Sequence, residues 1–308
     1  MLQNKIKNKQ SGILLYGLTP PKIDIDESKI ISIAKKQISR LHNINLDGLI
    51  LYDIQDESSR TDIPRPFPFS PTLSPEVYSK KYLLALGIPK IIYKSVVKYT
   101  PIELEKWIHE NEKEIGLSVF VGSPSKTQQN NLSLTQAYEI KKSTHSSILL
   151  GGVTIPERHA KKGDEHLRII QKSEKGCTFF VSQCVYSINN TKDFLSDYYY
   201  YCTENNIEMV PIIFTLTPCG SLKTLQFMEW LGVEIPKWLK NDLQHSTNIL
   251  EQSVELCKTI AHEIIDYCNL KNIPFGFNIE SVAIRKEEID ASIDLLAYLE
   301  QLLKKSLG

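Results

Sequence analysis

A (β/α)8 barrel is the fold class that this 308-residue chain predicts, and three observations carry the prediction. Short apolar runs rich in Val, Ile, Leu and Phe alternate with amphipathic stretches along nearly the whole chain. Eight such runs occur, each followed by a helical pattern. No G-x-G-x-x-G follows any of them, so the competing doubly wound dinucleotide fold lacks its phosphate-binding turn. Strict alternation of strand and helix demands right-handed crossovers and a parallel sheet. Eight repeats over residues 1–308 suit closure into one barrel domain.

The strands are predicted at Ile13–Leu18, Gly48–Ile54, Lys90–Val97, Ser118–Gly122, Ile148–Ile155, Cys177–Tyr186, Glu208–Leu216 and Phe275–Val282. Several are unbroken apolar runs, as strands covered on both faces require. Helices are predicted after Ser28 and after Thr100, where Pro101 and Glu103 complete a capping box with proline in the first turn. Further helices span Ser133–Ser143, Asp164–Glu174, Thr191–Asn205, Ser221–Leu231, Pro236–Gln244, Asn248–Asn269 and Lys286–Lys305, which places an extra helical pair before the eighth strand. Five prolines between Ser58 and Glu76 exclude helix and sheet interior from that stretch. It follows the second strand, so in a barrel it lies at the catalytic face, as a lid or as a surface loop packed on a neighbouring helix.

Composition narrows the function classes. With 42% apolar and 23% charged residues the chain can bury a full core. Lys plus Arg and Asp plus Glu are 36 each, which gives no reason to expect nucleic acid or an anionic membrane as the main partner. The six cysteines form no C-x-x-C pair, so neither a disulfide scaffold nor a zinc ribbon is expected. No apolar run approaches the roughly 20 residues of a membrane span, and MLQNKIKNKQ has no apolar segment of signal-peptide type. The expectation is a soluble, cytoplasmic protein acting on a small molecule, with self-association into a homo-oligomer left open.

Candidate site residues come from the strand ends, since a barrel builds its site there. The second strand runs from GLIL into Tyr52, Asp53, Gln55, Asp56 and Glu57, with Arg60 nearby. A buried strand can end in acids where the barrel mouth is wet; a solvated loop with Arg60 as ion-pair partner is the alternative. After the fourth strand, Gly122 and Ser123 in VGSPSKT would let a flat ligand approach the backbone, although no Walker loop is present. His159 and His166 stand among Glu157, Asp164 and Glu165 but lack H-E-x-x-H or comparable spacing, so no metal is expected. Gln183 interrupts an apolar strand, and a buried amide needs partners that a ligand edge or a neighbouring strand end could supply. Gly220 and Ser221 with Lys223 resemble an anion-binding helix start, or an ordinary serine cap. The last strand presents Asn278, Glu280 and Arg285.

These strand ends, in this order, resemble the methylenetetrahydrofolate reductase family over nearly the whole chain. The first strand followed by Thr19-Pro20-Pro21-Lys22 resembles that family's Pro-Pro turn. GGVTIPERHA resembles its Pro-Glu-x-His segment. GCTFFVSQCVY resembles the strand that carries the family's pterin-contacting glutamine, on which Gln183 falls. VPIIFTLTPCGSLKTLQFMEWLGVEIPKWL resembles the stretch ending in Val-x-Ile-Pro-x-Trp. The resemblance implies a barrel in which NAD(P)H reduces FAD and the flavin reduces 5,10-methylenetetrahydrofolate to 5-methyltetrahydrofolate, a step of methionine biosynthesis. That chemistry needs an acid to open the imidazolidine ring and a hydride at the exposed methylene.

The departures are specific. Gly17 stands where the family has its catalytic glutamate, and Val121-Gly122-Ser123 replaces the Arg-Gly-Asp flavin segment. The family's His and Thr-Cys around the third strand are also missing, with Lys90 and IIYKSVV in their place. Gln183, His159 and Arg285 remain. A substitute acid is expected from Asp53, Glu57 or Glu280, with Asp53 and Glu280 nearest their strands. Tyr52, Gln55, Gln183 and Arg285 are expected on the folate, and Gly122, Ser123, His159 and Lys223 on a cofactor: NAD(P)H, or FAD if its usual segment is substituted. The implied activity is reduction of methylenetetrahydrofolate, by direct hydride transfer if no flavin is held. A non-redox folate-dependent C1-transferase or lyase, and a non-catalytic folate-binding protein, are the alternatives on the same barrel.

Overall fold

Eight parallel strands close on themselves in chain order: β1 (Ile13–Leu18), β2 (Gly48–Leu51), β3 (Lys90–Ser95), β4 (Leu117–Val121), β5 (Leu149–Thr154), β6 (Cys177–Cys184), β7 (Ile212–Leu216) and β8 (Phe275–Glu280), which pairs back to β1. The structure, a computed structural model, describes residues 2–57, 61–123 and 131–307. Arg60 and the Ser125-Lys126-Thr127 part of VGSPSKT lie outside the described residues. The helices are α1 (Leu2–Lys7), α2 (Glu27–Leu41), α3 (Pro75–Tyr82), α4 (Pro101–Asn111), α5 (Leu134–Ser143), α6 (Pro156–Lys162), α7 (Glu165–Glu174), α8 (Ile188–Glu204), α9 (Leu222–Trp230), α10 (Lys237–His245), α11 (Ile249–Lys271) and α12 (Lys286–Leu307). The expected (β/α)8 barrel is thus present, with the extra helical pair before β8.

Side chains of one strand alternate between two apolar cores. Leu14, Tyr16, Leu49, Leu51, Phe214, Phe275 and Phe277 point outward and pack under the helices. Ile13, Leu15, Ile50, Ile91, Val119, Phe179 and Val181 point inward and fill the barrel. Phe179 lies over its register partner Gly151 on β5, where an added Cβ would meet the ring at 2.5 Å. The interior is therefore packed, and a ligand must bind above it, at the ends of the strands.

The helix starts follow their signals. Thr100 and Ser133 both form complete capping boxes, with Glu103 and Gln136 as reciprocal partners. Several strands are shorter than the apolar runs that announce them. β2 leaves the ladder after Leu51, and β7 begins at Ile212 because Pro211 has no N–H to donate. Two helices carry weak sequence signals. α3 starts at Pro75 behind Ser74, at the edge of the proline-rich run, and α1 places Leu2 and Ile6 in the barrel's inner core.

The proline-rich run is tied at two places. Beside β1 it forms an antiparallel bridge, Lys22 with Thr72, flanked by Ile23 N–H donating to Pro71 O at 3.1 Å and Leu73 N–H to Pro21 O at 2.9 Å. Farther along the rim, Trp230 Nε1 on α9 donates to Ile63 O at 2.9 Å. Residues 61–74 thus form a strap that runs from the helix following β7, at Ile63, to the end of β1, at Thr72.

Candidate functional site at the open end of the barrel

Inward positions at the strand ends are polar where the positions below them are apolar. Glu280 and Asn278 are two residues apart on β8, so both face inward, one layer above the other. Asn278 Nδ2 donates to Tyr52 Oη at 3.0 Å and to Thr215 Oγ1 at 3.2 Å. Glu280 Oε1 accepts from Cys184 Sγ and Thr217 Oγ1, both at 3.5 Å. Glu280 Oε2 and Asn278 Oδ1 are enclosed and have no hydrogen-bond partner among the described residues. Two orphaned acceptors at the bottom of an open mouth are what a donor-bearing ligand would satisfy.

Burial raises the Glu280 carboxyl above its ordinary value, and nearby polar hydrogens of Tyr52, Cys184, Asn278 and Thr217 offset part of the rise. Burial likewise pushes the Tyr52 phenol and the Cys184 thiol well up, with the Glu280 carboxylate adding to both. The cluster favours neutral, proton-bearing groups, the state that general acid chemistry needs.

Gly17 explains why this carboxyl fits. It pairs in register with Glu280 across the β1–β8 seam. A Cβ on Gly17 would lie 3.0 Å from Glu280 Oε2 and 2.9 Å from the Tyr52 ring and hydroxyl. The Glu280 carboxyl therefore occupies the space into which a longer residue at position 17 would project.

The opposite side of the mouth, from β2 to β4, is internally satisfied. Asp53 accepts Ser95 N–H at 2.8 Å and pairs with Lys98 Nζ at 2.6 Å, and Lys98 also donates to Ile54 O at 2.9 Å. Gln55 accepts from Ser95 Oγ at 2.8 Å and donates to Gly122 O at 3.3 Å, which ties the ends of β2, β3 and β4. Gly122 itself is not sterically obliged, since a Cβ there would meet only Leu134 at 3.4 Å. Ser123 follows it, half-buried. Lys94 points away from the barrel and is buried against Glu76 at 2.9 Å, with its ammonium over the Tyr99 and Trp107 rings.

On the α9 side, Gln183 Nε2 donates to Leu231 O at 3.4 Å. One residue back, the Trp230 ring forms a box with Phe227 and Phe69 around Arg65 of the strap, the guanidinium carbon lying 5.1–5.4 Å from the three ring centres. Glu57 and Asp56 are close enough to support the Arg65 charge against burial. The Lys223 ammonium lies 4.7 Å above the Phe67 ring of the same strap. The start of α9 is occupied from within: the buried Glu288 carboxyl accepts from Thr224 Oγ1 at 2.9 Å and from the Gly220 amide. Arg285, exposed, contributes to the field at Glu288.

His159 is separated from this cluster. It faces α8, with Nε2 3.0 Å from Asp197 Oδ2 and its ring edge-on to His166 and Phe194. His159, His166 and Asp197 offer donor atoms within 4.8 Å of one another, a set that could hold a cation and that no local motif spells. Thus Glu280, Tyr52 and Gln183 line the mouth with Asn278, Cys184 and Thr217, while Asp53 and Gln55 brace its far wall. Arg65 and Glu288 carry no motif in the sequence; an arginine inside Arg-Pro-Phe-Pro-Phe was the available signal for the first.

Comparison with known proteins supplies the remaining evidence. The family described as methylenetetrahydrofolate reductase matches residues 129–275. No curated protein matches the chain significantly. A solved structure from Clostridium thermocellum, described as an uncharacterized protein that binds two copies of 5-methyl-5,6,7,8-tetrahydrofolic acid, is 49% identical, covers 98% of this chain and 100% of its own, and superposes with a TM-score of 0.88. A 2,3-dimethylmalate lyase at 12% identity, covering 99% of this chain and 96% of its own with a TM-score of 0.44, is too remote to carry an argument. The matched segment contains the strand bearing Gln183 and the helix that follows β7, and together with the full-length relative it establishes that the chain belongs to the methylenetetrahydrofolate reductase family.

Proposed function

We propose that the open end of the barrel binds a reduced folate and that Glu280 is the acid for interconversion of its methylene and methyl one-carbon states. The observation that carries this reading is the register pair Gly17–Glu280. The family's acid projects from the first strand, and here an enclosed carboxyl reaches the same space from the neighbouring strand. In the forward direction Glu280 delivers its proton to N10, the C–N10 bond breaks, and the N5-methylene iminium is left open to hydride. With no step assigned to a flavin, NAD(P)H, the family's reductant, would supply the hydride directly, giving 5-methyltetrahydrofolate and NAD(P)+. Gln183 and the orphaned acceptor Asn278 Oδ1 would hold the pterin, and the strap would exclude water above it. Folate binding by the 49%-identical relative supports the ligand class.

Among the described residues at the ends of β2 to β4 and at the start of α9, the donor set does not fit FAD. The family's Arg-Gly-Asp segment, which meets the flavin phosphate, is replaced here by Val121-Gly122-Ser123. Lys98 is held by Asp53, Lys94 by Glu76, and the start of α9 by Glu288. Among the described residues from β2 to β4 no replacement for an Arg-Gly-Asp segment is present, and no step is assigned to a flavin. A second reading, non-redox one-carbon transfer from a folate or folate binding alone, needs no flavin site.

Anaerobic NAD(P)H oxidation by purified protein with 5,10-methylenetetrahydrofolate and no added flavin tests the proposal, alongside calorimetric titration with 5-methyltetrahydrofolate. Folate-dependent oxidation is expected. Binding without oxidation, even after FAD is supplied, would overturn the reductase reading and leave the second. Absence of folate binding would overturn both.

A further inference from the structure

Arg65 is a cation placed at some cost. Its Nε and Nη1 are buried and have no hydrogen-bond partner among the described residues. The Phe69, Phe227 and Trp230 rings around it offset part of the desolvation through their π faces. A guanidinium used only to pin the strap could be replaced by an apolar side chain without stranding donors, because the same three rings would pack against it. The box also stands at a defined place. Gln183, the amide proposed to meet the pterin, is bonded to Leu231 O, and Leu231 is the chain neighbour of Trp230. The aromatic surface of Phe67, Phe227 and Trp230 therefore begins beside the pterin end and leads to Arg65, with Lys223 above Phe67. Pterin, then a flat benzoyl ring, then a carboxylate is the order of groups along a folate.

We propose that Arg65 is the specificity residue for the glutamate tail of the folate, its guanidinium receiving a tail carboxylate while the strap's aromatic wall packs the benzoyl ring. The inference rests on the folate-binding reading above. Glu57 and Asp56 are the carboxylates nearest Arg65. They offset part of the cost of burying the charge but do not bond its Nε or Nη1. A ligand carboxylate would bond the guanidinium directly, the geometry for which arginine is suited. Binding would then also fasten the strap, since the tail would be held by a strap residue and the pterin by strand-end residues.

The test compares two ligands that differ only in the tail, 5-methyltetrahydrofolate and 5-methyltetrahydropteroate, on wild type and on Arg65→Met, which fills the box without charge. Wild type is expected to bind the glutamate-bearing ligand on the order of ten- to a hundredfold more tightly, the range of one charge-assisted hydrogen-bonded pair. Arg65→Met should remove that preference and leave pteroate affinity within about twofold of wild type. Equal weakening of both ligands would show that Arg65 only clasps the strap, and would overturn the proposal. A preference that survives in Arg65→Met would also overturn it, by placing tail recognition elsewhere. Wild type binding both ligands equally defeats the Arg65 assignment alone, whereas wild type binding neither defeats the folate reading on which it rests.

Discussion

Glu157 offers a quantitative test of how the site is supported. It lies in the Pro-Glu-x-His segment at the start of α6 and is 1% exposed. Its Oε1 accepts Tyr186 N–H at 3.2 Å, just beyond the strand end that carries Gln183 and Cys184. Burial pushes its carboxyl from 4.5 up to about 7, although backbone N–H groups of Tyr186 and Ser187 pull the other way. Between those two values the folded chain binds a proton that the unfolded chain has released. Stability must therefore fall as pH rises through that window. At about 1.4 kcal/mol per pH unit the full loss is about 3 kcal/mol. Glu157→Gln keeps an acceptor for the Tyr186 amide and removes the titration. Other buried groups also titrate: Glu280 and Glu288 contribute in the same direction, and His166, pushed down by burial, in the opposite one at acid pH. The informative quantity is thus the variant minus wild-type difference. Urea unfolding followed by circular dichroism at pH 5, 6, 7 and 8 should show the variant gaining on wild type, by about 3 kcal/mol across the series. Parallel curves would refute the argument, because they would mean that Glu157 ionises alike in both states.

Two further outcomes test the mouth itself. Glu280→Gln should keep folate affinity and fold but lower the rate of 5-methyltetrahydrofolate formation by about a hundred- to ten-thousandfold, the usual contribution of a positioned general acid; unchanged turnover would remove Glu280 from the chemistry. Gly17→Ala inserts a Cβ 2.9 Å from Tyr52 and 3.0 Å from Glu280 Oε2, and should destabilise by about 1–3 kcal/mol in urea unfolding. The cost should be smaller in a Glu280→Ala background, where one of the two contacts is gone. Additive costs would show that the two positions do not share the space.

The barrel was legible because its signal is global. Eight apolar runs separated by capped helices leave few topologies, and misplacing a strand end by two or three residues changes none of them. The site was legible only in part, for a geometric reason. Gly17 and Glu280 stand near opposite ends of the chain, and only closure of the barrel makes their strands neighbours. Read along the sequence, an acid is missing from the first strand; read around the barrel, a carboxyl is present one strand away. Asp53 and Glu280 look equivalent as strand-end carboxylates. What separates them is the company they keep, a backbone amide and Lys98 for one and an enclosed polar pocket for the other. Lys223 resembled an anion seat because the sequence shows a helix start but not that Glu288, distant in the chain, already fills it.

The short helix α1 bears on how the chain reaches this state. Leu2 and Ile6 sit in the inner core with residues from β1 through β7, and the Gln3 amide fills the space beside Gly116. Those partners come together only when the sheet has curled round and shut. This short segment is thus among the last to find its place, and it closes the floor from below like a stopper. Until then the inner apolar side chains are open to water at that end, the kind of exposure that makes a partly folded chain prone to aggregate.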